Sequence, residues 1–189
     1  DNFIFLSSVS VYGRKKGYLI SENEPLKSFS GYGASKLICE KLFEQVIPKD
    51  KLIIFRMPLV IGELPKGNLK KMYDLISENK MILFKGNNAK KSILYIEDLF
   101  LIIKNNYKKI FGIYNIKSSD VKFNTIAENK AKELDKKLFY IPVFPIFIFL
   151  SILKFFRFHK LIYIFEKITC DLTFDNTHFK NTIKNNVKN

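Results

Sequence analysis

Short apolar runs alternate with longer segments of helical period along most of the chain. Phe3 to Leu6 predicts a first strand and Leu52 to Phe55 a second, buried one. Between them lie a polar loop, Ser21 to Gly31, and a helix over Gly33 to Val46. That helix carries Leu37, Ile38, Leu42 and Val46 among its apolar positions, and Pro48 ends it. Asn68 to Glu78 reads as helical, followed by short strands around Ile82 to Phe84 and over Ser92 to Ile96. Glu97 to Tyr107 predicts a helix with Leu99, Ile102 and Ile103 on its apolar face. Ile113 to Ile116 is expected to be the last sheet strand, and Phe123 to Leu134 another helix. There are no internal repeats. The alternation predicts βαβ units in a parallel sheet, an α/β class.

One run breaks this rhythm. Leu138 to Leu153 is uncharged and rich in phenylalanine and isoleucine. It falls short of the ~20 residues a spanning helix needs, and Pro142 and Pro145 shorten its helical part. With Lys154, Arg157 and Lys160 following, a helix within 138–156 could lie at a membrane interface. A buried helix is the favoured reading, an interfacial helix the second and a true span the last.

Composition narrows the class. At 189 residues, 47% hydrophobic and 26% charged, the chain suits one sizeable core and argues against disorder. Thirty-two basic and 18 acidic residues give a net charge of +14. Such a surplus suits nucleic acid, an anionic surface or an anionic substrate. The basic residues are spread through turns such as Arg14 to Lys16, the helices and the tail. No nucleic-acid module accompanies them, so no nucleic-acid partner is expected. Cys39 and Cys170 are too few and too separated for a disulfide framework or a metal site, and read as buried thiols of a reducing compartment. His159 and His178 lack ligand partners, so no metal is expected. With Asp1 to Ser8 too short for a signal peptide, the expected location is the cytoplasm.

The candidate chemistry lies in two strings, Tyr32-Gly33-Ala34-Ser35-Lys36 and the preceding Phe5-Leu6-Ser7-Ser8-Val9-Ser10-Val11-Tyr12-Gly13. Tyr32 and Lys36 sit one helical turn apart and can address one small molecule. A phenol titrates near pH ~10, and a neighbouring ammonium should lower that toward the working range. The Ser8 hydroxyl, in a turn after a strand, can hold a carbonyl or alkoxide oxygen beside the phenol. Such a set moves a proton on and off a sugar or alcohol hydroxyl, but a nicotinamide must carry the hydride. On its own, a tyrosine and lysine at this spacing are equally an exposed helix pair.

Arg56-Met57-Pro58-Leu59-Val60-Ile61-Gly62 makes the pattern specific. Together the strings resemble the carboxyl-terminal part of an extended short-chain dehydrogenase/reductase, in the NAD-dependent sugar-nucleotide epimerase/dehydratase family. The resemblance implies that Ser8, Tyr32 and Lys36 are catalytic. It places NAD or NADP against Ser7, Tyr32, Lys36, Pro58, Leu59 and Val60. It also implies that Ser8, Ser10, Asn68, Leu69 and Lys91 meet a UDP-sugar. Tyr95 to Leu99 resembles the family's Y-V-x-D-L element. The implied architecture is the C-terminal part of a Rossmann-like doubly wound parallel sheet plus a small, mostly helical substrate lobe. Residues 1–62 and 92–118 would form the partial NAD-binding domain, and 63–91 and 119–189 the lobe. Similarity is strongest to bacterial UDP-N-acetylhexosamine 4-ketoreductases and 4-epimerases of surface-polysaccharide synthesis. It rests on the Gly62 to Asn68 loop, the apolar Pro142 to Phe156 helix and Asp171 to Phe179. A homodimer is open to such a chain.

There are departures. Met57 and Ile61 replace the usual proline and tyrosine, and Lys91 stands where the family has an arginine, keeping charge but not bidentate geometry. No Gly-rich phosphate turn occurs: Gly31 to Lys36 and Gly62 to Asn68 only imitate one. A chain that opens on Asp1 and enters a strand at once is read as a fragment lacking the first strands, and expected to be inactive alone. The alternative is a non-catalytic remnant, kept as a binding or membrane-associated scaffold.

Overall fold

A computed structural model describes residues 2–142 and 165–187. Its central feature is β3 (Leu52–Met57), in which Leu52 through Arg56 are buried without a break. Continuous burial is the mark of a strand covered on both faces of a parallel sheet. Both neighbours are parallel: β1 (Phe3–Ser8) on one side and β7 (Gly112–Asn115) on the other. Alternation sends Ile53 and Phe55 toward a core shared with Leu94, Leu99, Tyr114 and Phe179. These come from β6 (Lys90–Tyr95), α3 (Ile96–Asn106), β7 and α5 (Thr177–Val187). The opposite face carries α1 (Gly31–Val46), where Phe43 packs on Phe3 and Phe5 with ring centroids 4.7 and 4.9 Å apart.

A second sheet runs β2–β10–β6–β4, with β2 (Gly17–Ile20), β4 (Leu59–Ile61) and β10 (Leu172–Phe174), and β8 (Ser119–Lys122) pairs antiparallel with β6. On it α2 (Gly67–Ser77) and α4 (Phe123–Glu133) build another core around Leu69, Ile76, Ile93 and Ile126. A small parallel pair, β5 (Ile82–Lys85) and β9 (Phe139–Pro142), completes the strands. β4 joins the two cores: Val60 packs into the first, Leu59 and Ile61 into the second.

The α/β class and the parallel Rossmann-like core agree with the sequence, and the four helices expected between Gly33 and Leu134 form within two residues of their bounds. Ile113 to Ile116 is not the last strand, because β8, β9 and β10 follow β7. These strands, and β2, are three or four residues long and gain their order from distant partners, so no local alternation announces them. The helix face of α1 also differs. Ile38, Leu42 and Val46 are exposed, whereas Gly33 and Glu40 are the buried positions. Cys39 and Cys170 are half-buried, not buried. The apolar run from 143 onward, with His159 and the membrane question of 138–156, lies outside the described residues. Among the described residues no helix is long and apolar enough to cross a membrane.

Phe55 is fully buried, edge-on to Phe179 at 6.0 Å and tilted on Tyr114 at 6.5 Å. Phe55→Ala should therefore cost about 3–5 kcal/mol, through lost transfer and the cavity left. Urea denaturation followed by circular dichroism checks this, as a lower midpoint with an unchanged slope.

Candidate functional site

β1 ends in Ser7-Ser8 and passes into a 3₁₀ turn over Val9–Tyr12. Ser8 caps that turn. Its Oγ accepts from the Ser10 amide at 3.2 Å and from the Ser10 hydroxyl at 3.0 Å. Gly13 closes the turn at φ +61, where a Cβ would sit 1.8 Å from the Lys27 carbonyl oxygen. The start of α1 is set by Ser30, whose Oγ accepts from the Gly33 amide at 3.0 Å. Gly33 is there for closeness: a Cβ would lie 2.1 Å from Ser28 Oγ and 2.6 Å from the Ser10 carbonyl oxygen. The first turn of α1, which carries Tyr32, thus rests directly on the turn that carries Ser8 and Ser10.

Tyr32 is 59% exposed, so its phenol is open to a ligand. Lys36, half-buried, places Nζ 5.9 Å from the Tyr32 ring centroid and 4.7 Å from that of Phe5. Its ammonium donates to the Leu6 carbonyl at 2.9 Å. Ser8, Ser10, Tyr32 and Lys36 are therefore gathered at the carboxyl end of β1, the end where open parallel sheets bind ligands.

Beneath them lies a buried polar cluster that sequence reasoning missed. Arg56 Nη2 meets Glu40 Oε2 at 2.7 Å, and its Nε reaches both carboxylate oxygens at 3.2 Å. The Ser7 hydroxyl, fully buried, donates to Glu40 Oε1. Arg56 Nη1 donates to the Tyr12 hydroxyl at 3.0 Å and to the Glu22 carbonyl at 3.3 Å. The Tyr12 hydroxyl donates in turn to Asn115 Oδ1 at 2.8 Å. Burial raises the Tyr12 phenol above its ordinary value despite the opposing Arg56 charge. Burial acts to lower Arg56, but its bonds to Glu40 and the charges around it leave the guanidinium more firmly protonated than usual. Two signals could have revealed the cluster: Glu40 continues the Tyr32, Lys36 spacing, and Arg56 is the one charge in an otherwise apolar strand.

The remaining candidates lie apart from this cluster. Pro58, Leu59 and Val60 are half-buried after β3. Asn68 is exposed in the first turn of α2, and Leu69 is buried in the second core. Lys91 is only 8% exposed, and its Nζ donates to the Cys170 carbonyl at 2.5 Å. Burial pushes its ammonium down to about 8, against the pull of Cys170 and Asp171. Among the described residues no three His, Cys, Asp or Glu side chains group for a metal ion.

Residues 1–116 match a family model described as the NAD dependent epimerase/dehydratase family. An Escherichia coli O157:H7 protein named N-acetyl-alpha-D-glucosaminyl-diphospho-ditrans,octacis-undecaprenol 4-epimerase is 29% identical over 145 residues, 72% of this chain and 44% of that one. UDP-N-acetylglucosamine 4-epimerase from Bacillus cereus superposes with a TM-score of 0.60 at 21% identity, over 75% of this chain and 54% of that one. The dTDP-4-dehydrorhamnose reductase of Bacillus anthracis in complex with NADP gives 0.60 at 18% identity, over 75% and 50%. The chain thus spans about half the length of these relatives.

Lys91 gives a pH-dependent expectation. The unfolded chain holds this proton to about pH 10.5 and the folded chain only to about 8. Its burial therefore penalises the fold in full below pH 8, and the penalty lifts as pH rises through that window. Wild type should gain stability relative to Lys91→Met between pH 8 and 10.5. Urea midpoints measured across the window check this. A flat difference would contradict it.

Proposed function

This chain belongs to the NAD dependent epimerase/dehydratase family, and on that premise we propose that it supplies the acid–base and substrate half of an NAD(P)-dependent oxidoreductase or epimerase. The reaction would occur at C4 of a UDP-N-acetylhexosamine, in the cytoplasm. Residues 1–62 and 92–118 would serve the cofactor, and 63–91 and 119–189 the substrate. The carrying observation is the close approach of the first turn of α1 to the Ser8 and Ser10 turn, which Gly33 permits.

The residues present fit the nicotinamide end of a dinucleotide: an exposed phenol, a lysine ammonium beside it, and Pro58 to Val60 just past the carboxyl end of β3. A Gly-rich pyrophosphate turn is not among them. When bound, the nicotinamide supplies the hydride acceptor and donor. Tyr32 would take the proton from the C4 hydroxyl as the hydride leaves, and return it when the carbonyl is reduced. Ser8 would hold the C4 oxygen. Its Oγ already accepts from Ser10 twice, which leaves its own proton to donate outward. Lys36 would exchange the Leu6 carbonyl for the ribose hydroxyls while keeping its charge near the phenol. A polyprenyl-diphosphate-linked N-acetylhexosamine, the kind of substrate in the Escherichia coli relative's name, presents the same C4 chemistry and is a second reading.

The test uses the polypeptide as its gene encodes it, supplied with UDP-N-acetylglucosamine or the polyprenyl-linked sugar. Proton NMR should show 4-epimerisation or C4 reduction of one of them. Tyr32→Phe should lower kcat by about 10²–10⁴-fold with NAD(P) binding largely unchanged. Unaltered turnover in that variant refutes the assignment, and no turnover of either sugar by wild type favours the scaffold. Residues 1–189 alone should oxidise no NADH with a 4-keto UDP-sugar, followed at 340 nm.

A further inference from the structure

On α1, Tyr32, Lys36 and Glu40 are spaced four residues apart and share one face. The first two reach the candidate site, whereas Glu40 is 1% exposed and turns into the sheet. It meets two things there. One is Arg56 on β3, through three contacts of 2.7 to 3.2 Å. The other is the hydroxyl of Ser7, the residue directly before Ser8 on β1. One carboxylate therefore grips the strand that presents Ser8 and belongs to the helix that presents Tyr32 and Lys36.

We propose that Glu40, clamped by Arg56, is a positioning residue that fixes Tyr32 and Lys36 relative to Ser8. The inference rests on the functional reading above. The geometry gives it its force. A helix packed on a sheet by apolar contacts alone can rotate or slide at small cost, and its aromatic contact here, Phe43 with Phe3 and Phe5, lies at the far end from Tyr32. A guanidinium gripping a carboxylate through two nitrogens has directional requirements that rotation would break. Arg56 is itself held by Tyr12 and the Glu22 carbonyl, so it cannot follow the helix. Tyr12 ends the same 3₁₀ turn that contains Ser10. The clamp thus fixes both sides of the site.

A role in stability alone predicts a different outcome from a role in position. Removing one partner strands a buried charge, so Glu40→Ala destabilises the fold whichever role holds and decides nothing by itself. Replacing both, as Glu40→Leu with Arg56→Met, removes the charge problem and should recover much of the denaturation midpoint. In the encoded polypeptide, this double variant should keep KM for the nucleotide sugar within about twofold while kcat falls roughly tenfold to a hundredfold, the scale of an ångström-level misplacement. Glu40→Gln, which can still accept from Ser7 and Arg56, should fall between the two. A double variant with recovered stability and wild-type kcat overturns the proposal. If wild type turns over no sugar, the functional reading has failed, and a crystal structure of the double variant decides the clamp. Displaced Tyr32 and Lys36 relative to Ser8 support it, and unchanged positions overturn it.

Discussion

The structure is organised around a carboxylate and a guanidinium withdrawn from water. Glu40 and Arg56 are 1% and 3% exposed and 2.7 Å apart. Such a pair survives in a low-dielectric interior only if its remaining polar atoms also find partners. That condition reaches outward. It requires the Ser7 hydroxyl, the Tyr12 hydroxyl and the Glu22 carbonyl to stand where they do. Tyr12 then requires Asn115, whose own amide donates to the Ile20 carbonyl at 3.0 Å. One ion pair therefore links α1, β1 and β3 to β7 and to the end of β2 in the other sheet. Apolar burial supplies most of the driving force for folding, but it is non-directional and would tolerate several settings of these elements.

The two cores show the complementary arrangement. They meet along β4 and β6, where neighbouring residues alternate between them: Val60 and Leu94 face one, Leu59, Ile61 and Ile93 the other. A rigid join of this kind suits a site that needs groups from both halves. The phenol and the serines come from the first sheet and its helix. The exposed first turn of α2, with Asn68, comes from the second. Directional polar bonds hold the side proposed to move the proton, and apolar packing holds the side that would grip a substrate.

How much of this was legible depended on whether local sequence or distant pairing determined each element. β3 was legible because a strand buried on both faces must be apolar throughout. The pairing of Tyr32 with Lys36 was legible because helix spacing alone puts them together. β2, β8, β9 and β10 were not, since three or four residues carry no period. Glu40 was missed for a different reason. Hydrophobic periodicity ranks a glutamate as solvent-facing and Ile38, Leu42 and Val46 as core. The structure inverts this because α1 docks on a strand pair that offers an arginine and a serine hydroxyl. The face of the helix that turns to the sheet is set by polar chemistry together with Leu37 and Phe43, while Ile38, Leu42 and Val46 are left exposed.

Lys91 shows the same logic at the other sheet. The strand pairing Lys91 with Leu172, and the bond from the Lys90 amide to Asp171 Oδ1 at 2.7 Å, draw the 170–172 segment onto β6. The Lys91 ammonium closes that seam on the Cys170 carbonyl. A lysine is a point charge with three donors on a flexible stem, already bonded inward and penalised by burial. A diphosphate would have to compete with Cys170 for it. An arginine in the same place could serve both at once, turning one edge of its fork to the carbonyl and the other to the phosphate. Where the family resemblance would set an arginine against the diphosphate, this lysine is engaged in holding the 170–172 segment onto β6.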